Sequence, residues 1–203
     1  MSFQFPLNSL QRFVVVTLFI TAGCASAKTT AQQPSGKMRP TDAELAASNA
    51  VNNQAALAAE ASFFTEVQFK TGSSELTEAS RRAIQNVLTE SAKVGKIDDV
   101  KILAWSDEEL PSAQRKTLPQ AARNLADQRG DAIANYIDTL SFKMDDVDTY
   151  NMAKRSNFLQ RWAKTEDARF KTAMLKAGLP TVTDDRQYPS KASKAVILVT
   201  LED

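Results

Sequence analysis

The order in which hydrophobic periodicities follow one another is the feature that most narrows what this chain can fold into. Residues 63–70, FFTEVQFK, alternate: Phe63, Thr65, Val67 and Phe69 fall on one side and Glu66, Gln68 and Lys70 on the other, the pattern of a half-buried strand. After the turn signal TGSSEL, Thr77 is placed to cap a helix that runs to about Val94, with Ile84, Val87, Leu88 and Ala92 facing inward and Gly95 as its stop. DDVKILAW, residues 98–105, is a second strand. A loop leads to Thr117 as N-cap, with Pro119 in the first turn of a helix that reaches about Leu140. A third strand is expected around Val147–Met152, and KAVILVTL, residues 194–201, is the clearest strand signal of all. Strand, helix, strand, helix and two further strands predict an α/β (α+β) two-layer domain over residues 62–203, with helices on one face of a mixed sheet.

Between the last two strands lies a helical insertion at about 156–177. Ser156 and Thr165 stand as N-caps of two short helices, NFLQRWAK and EDARFKTAMLKA, ended by Gly178-Leu179-Pro180. Phe158, Trp162, Phe170 and Met174 make an apolar stripe, expected to pack onto the domain, with a partner-docking groove as the alternative.

Upstream, residues 13–23, FVVVTLFITAG, have the length of a signal-peptide apolar region and are too short to span a bilayer. The TAGC that closes this run, Thr21 to Cys24, resembles a bacterial lipobox, in which the cysteine is lipidated (palmitate-type acylation) and becomes N-terminal. Thr21 stands where that motif usually has Leu, and Ala25 to Ala27, ASA, fits ordinary signal cleavage as the rival reading. On the lipobox reading, residues 1–23 are a signal peptide. Ala25 and Ser26 lack the Asp that retains lipoproteins at the inner membrane, which points to the periplasmic face of the outer membrane. On the rival reading the product is soluble in the periplasm. Residues 25–40 have linker composition, and TDAE at 41–44 fits a capping box opening an Ala-rich helix to about Ala61. Its thin apolar face predicts a helix that touches little, so residues 24–61 read as a tether, with about 40 Å of extended linker followed by about 30 Å of helix.

Composition removes several function classes. The 203 residues carry 25 basic and 24 acidic side chains, and Arg12 is the only charge before residue 24, so the chain beyond it is neutral and lacks the basic excess of a nucleic-acid binder. There is no histidine, which removes His-based acid–base catalysis and the commonest metal ligand. No G-x-S-x-G, P-loop or metal-ligand cluster is present, and no pair of carboxylates has a spacing that marks a glycosidase. The expectation is a non-enzymatic protein without metal or cofactor.

One residue is out of place in this pattern. In NLADQRGDAIANYI, residues 124–137, Leu125, Ala132, Ile133 and Tyr136 line an apolar helix face, and Arg129 sits on it. Its neighbours three and four residues away are Leu125, Ala126, Ala132 and Ile133, so the helix offers no carboxylate to pair with it. Asp107 lies just past the end of the second strand, on the edge where such a fold brings that strand end and the helix together.

The same segments resemble OmpA-like domains of the peptidoglycan-associated lipoprotein type. VQFKTGSSELTEAS is similar to the family's opening strand, loop and helix cap. ILAWSD resembles the strand that ends in Gly-His-Thr-Asp, with Asp107 on the Asp. LADQRGDAIANYI is similar to Leu-Ser-x-x-Arg-Ala-x-x-Val-x-x-Tyr-Leu, with Arg129 on the Arg, and SKAVILVTL fits the closing strand. The resemblance spans about residues 62–152 and 190–201. It implies a β-α-β-α-β-β mixed sheet and non-covalent binding of peptidoglycan. Asp107 would pair the ammonium and Arg129 the carboxylate of the stem-peptide diaminopimelate, assisted by Ser106 and the loop amides after Asp107. Ala122 replaces an Asn of the family pattern, Ala126 a Ser, Ala104-Trp105 a Gly-His, and Gly130 an Ala; the loop EELPSAQRKT is longer and more acidic. Two plainer readings stand beside this one: Asp107 closes a turn, or Arg129 pairs with Asp107 as an internal salt bridge. On the latter, the protein would serve an envelope complex by docking partners on its inserted helices. Otherwise its partners are peptidoglycan and, through the lipid, the outer membrane.

Overall fold

The computed structural model describes residues 42–108, 117–154, 165–180 and 190–202. The signal region, Cys24, the linker, Thr41, the loop from Glu109, and Ser156 with the first inserted helix, including Phe158 and Trp162, lie outside them. The elements are α1 (Asp42–Ala58), β1 (Phe63–Gln68), α2 (Glu78–Val94), β2 (Ile97–Ala104), α3 (Gln120–Asp138), β3 (Asp146–Asn151), α4 (Glu166–Lys176) and β4 (Lys194–Leu201). The fold is α+β, and from β1 onward the order of elements is the one the periodicities predict, with α4 inserted before the last strand.

The sheet order is β1-β4-β2-β3. β4 pairs antiparallel with both β1 and β2, through Phe63↔Val199 on one side and Ile102↔Ile197 on the other. β3 adds parallel to β2, from Asp99↔Asp146 to Ala104↔Asn151, across the α3 connection that a parallel pair requires. As a central strand, β4 is covered on both faces, and Ala195 through Val199 are fully buried. That is why it reads as an unbroken apolar run while the edge strand β1 alternates.

α2 and α3 cover one face. Thr77 Oγ1 accepts the Ser80 amide at 3.1 Å, Glu78 opens the helix and Gly95 ends it, as the cap signals predict. Ile84, Val87 and Leu88 are buried, but Ala92 is exposed and Ser91 takes the inward position, its hydroxyl bonded to Val87 O at 2.8 Å. α3 starts at Gln120 with Pro119, not Thr117, at the N-cap position. Its buried residues are Ala122, Ala126, Arg129, Gly130, Ile133 and Ile137, which turns the inward face slightly away from Leu125 and Tyr136. Gly130 is there because α3 crosses β3 closely: a Cβ on it would stand 2.2 Å from Thr149 Cγ2.

The opposite face is covered as well, although the strand and helix pattern placed helices on one face. α1 and α4 pack over Leu103, Trp105, Tyr150, Val196 and Leu198, contributing Ala55, Ala56 and Met174 to a second core. Phe170 stacks on Tyr150 with ring centroids 4.1 Å apart. The described half of the inserted stripe is therefore core. The expectation that residues 42–61 form a helix touching little is corrected in the same way. α1 docks through Ser48, Asn52, Ala55 and Ala56, while Leu45 and Leu57 point to solvent. Small residues let the helix lie close to the sheet, and its leucines misidentify the docking face.

Candidate functional site

Three chain segments meet where the sheet ladder runs past its ends. The Phe69 amide donates to Ser193 O at 2.8 Å, the Ser193 amide to Ser106 O at 2.8 Å, and the Trp105 amide to Lys194 O at 3.1 Å. The loop after β1, the loop after β2 and the turn before β4 are thereby sewn together, and the inward face of α3 lies beneath them.

Arg129 fills that junction and is fully buried. Its Nε donates to Ser73 O at 3.0 Å, Nη1 to Trp105 O at 2.8 Å, and Nη2 both to Lys70 O at 3.3 Å and to Asp107 Oδ1 at 2.5 Å. The guanidinium carbon stands 5.0 Å from the centroid of the Phe69 ring. A buried cation costs several kcal/mol unless it is paired and its donors are met, and here a carboxylate and three carbonyls meet four of the five N–H groups. The lone arginine on an apolar face thus has a partner from another element.

Asp107 is the partly open member of the pair, its side chain 20% exposed. Oδ1 accepts Arg129 and the Ser193 hydroxyl, the latter at 2.5 Å, and Oδ2 accepts the Gly72 amide. Burial alone would raise its carboxyl, but the bonds from Ser193, Arg129 and Gly72 outweigh that and hold it below the usual carboxylate range. Gly72 has φ +73, the left-handed conformation that aims its amide at Asp107 and favours glycine. Ser106, the third residue expected at the site, is buried. Its hydroxyl accepts the Glu108 amide and donates to Glu108 O, both at 3.2 Å, so it shapes its own loop, and the first amide after Asp107 is already used. Trp105 packs into the second core with its indole N–H on Pro180 O at 2.8 Å. Ala122 sits in a small apolar cluster with Leu118, Ala126 and Ala153.

Two features were not read from the sequence. Ser193 is a non-glycine residue at φ 61, held there by its backbone bonds and by its hydroxyl on Asp107. Two residues before it, the fully buried Lys191 donates to Ser48 Oγ at 2.7 Å, to Asn52 Oδ1 at 2.8 Å and to Glu66 Oε2 at 2.5 Å. Glu66 also takes Lys194 at 2.7 Å on Oε1. Burial would raise Glu66; the charges and hydrogen bonds of Lys191 and Lys194 override it and hold it at about 2, while burial pushes Lys191 down. Glu66 was assigned to the polar side of a half-buried strand, and α1 covers that side.

No protein-family model matches the chain, and no curated protein does. Among solved structures it is similar to the OmpA-like domain of FopA1 from Francisella tularensis subsp. tularensis SCHU S4, at a TM-score of 0.37 and 11% identity, covering 68% of this chain and 72% of that one. None of the helices among the described residues is long and apolar enough to cross a membrane.

Proposed function

We propose that this chain is an exported lipoprotein, anchored through Cys24 in the outer membrane, whose folded body binds peptidoglycan stem peptides non-covalently at Asp107 and so ties the membrane to the wall. The observation that carries the reading is the Asp107 carboxylate, ionised, partly exposed, and fixed by a guanidinium, a hydroxyl and a backbone amide where three loops join. A rigid anion at the rim of a fold is suited to a cationic head group, because its geometry is set before the ligand arrives. The residues that carry the family resemblance are the ones that build this junction. The role needs neither catalysis nor a cofactor.

The complete burial of Arg129 favours a second reading. On it, Arg129 and Asp107 are a keystone of the fold, glycan affinity is absent, and the protein acts as an interaction component of an envelope complex. Co-sedimentation of the full chain, in mild detergent, with purified diaminopimelate-type sacculi separates the two. The first reading expects the wild type to pellet and a folded Asp107→Asn variant to stay in solution. A wild type that stays in the supernatant removes the peptidoglycan reading, and release of soluble wall fragments would demand an enzyme instead.

A further inference from the structure

Resting on the peptidoglycan reading, we infer that the Asp107 site selects the side-chain ammonium of the stem peptide and not the carboxylate beside it in diaminopimelate, so that it accepts equally a wall whose stem residue ends in a lone amine, as lysine does. To take a carboxylate, a guanidinium must offer it N–H groups from an open edge. Arg129 has no exposed surface, and four of its five N–H groups are taken: Nε and one N–H of Nη1 by backbone carbonyls, the two of Nη2 by Lys70 O and Asp107, so the one left on Nη1 has no open edge from which to meet a ligand. An entering carboxylate would have to pull the loop carrying Lys70 and Ser73 off the guanidinium. That would leave those carbonyls unpaired and break the Gly72 bond to Asp107.

Asp107 presents the opposite chemistry. A carboxylate oxygen accepts two hydrogen bonds. Among the described residues, Oδ1 has two donors, Arg129 and Ser193, whereas Oδ2 has the Gly72 amide alone, so one acceptor position remains on a side chain that reaches solvent. What fits there is a donor, and a cationic one gains most against an ionised partner. Among the described residues, the exposed charges on the flanking loops are Lys70, Glu75 and Glu108, an acidic excess that gives a ligand carboxylate no net attraction. The site therefore reads the amine, and the carboxylate of diaminopimelate is left to solvent.

The test compares pelleting of the full chain on four ligands: diaminopimelate-type and lysine-type sacculi matched for free amines, and each of these after acetylation of the amines. The inference expects affinities for the two native walls within about twofold of each other and loss of pelleting on both acetylated ones. A lysine-type wall bound about tenfold or more weakly, with the diaminopimelate wall still bound, overturns the inference and leaves the peptidoglycan reading standing. Pelleting that survives acetylation also overturns the inference alone. Failure to pellet on either native wall overturns both. Because the chemistry is changed on the ligand, no outcome depends on a variant that fails to fold.

Discussion

Arg129 shows how far a single residue can be read. Its presence on an apolar helix face demanded a partner, and Asp107 is that partner at 2.5 Å. What the helix pattern could not disclose is that Ser73, Trp105 and Lys70 contribute carbonyls, since backbone groups from distant loops leave no mark in side-chain periodicity. Arg129→Lys keeps the charge but replaces a planar fork by a point cation, so most of these bonds cannot be made together. The variant is expected to lose about 3 kcal/mol in urea denaturation, the cost of partly breaking a buried pair. A loss under about 1 kcal/mol would mean that the guanidinium is not the keystone. Gly130 offers a second test. Gly130→Ala should gain about 1 kcal/mol from helix propensity, yet the methyl would meet Thr149 Cγ2 and the net effect should be destabilising. In a Thr149→Ser background, which removes that methyl, the same change should stabilise.

At the scale of elements, the caps of α2, the last strand and the order of elements were legible because each rests on local chemistry. The docking of α1 was not, because it is carried by Ser48, Asn52 and two alanines and by a lysine far along the chain. A helix that docks through small and polar residues has almost no amphipathic signature. The network also gives a pH dependence of definite sign. Glu66 titrates near 4.5 when unfolded and at about 2 when folded, so the stability it supplies is fully present above pH 4.5 and is lost as pH falls toward 2. Asp107, also held below its ordinary value, adds a loss of the same sign at the acid end. The Glu66 share is on the order of 3–4 kcal/mol, since one pKa unit is worth about 1.4 kcal/mol. Denaturant midpoints for the wild type and Glu66→Gln between pH 7 and 2.5 check this. The variant should start less stable, with Lys191 deprived of its charge partner, and should fall less steeply below pH 4.5.

For the whole molecule, the second core decides where the folded body begins. A two-layer domain starting at residue 62 follows from the strand and helix pattern, but with that boundary one face of the sheet would lose Ala55 and Ala56 and the polar cap over Lys191. α1 therefore belongs to the folded body and not, as expected, to a tether. A chain beginning at residue 62 is expected to bind a hydrophobic dye and to unfold with reduced cooperativity, because Lys191 would lose Ser48 and Asn52 and the apolar residues of that face would meet water. A chain beginning at residue 39 keeps α1 and should unfold in one sharp transition with no dye binding. If the two pieces behaved alike, α1 would contribute nothing to the folded body, and the tether would extend as far as β1 after all. If they differ as expected, any binding assay on the shorter piece measures a damaged domain, since Lys191 sits two residues from the Ser193 that holds Asp107.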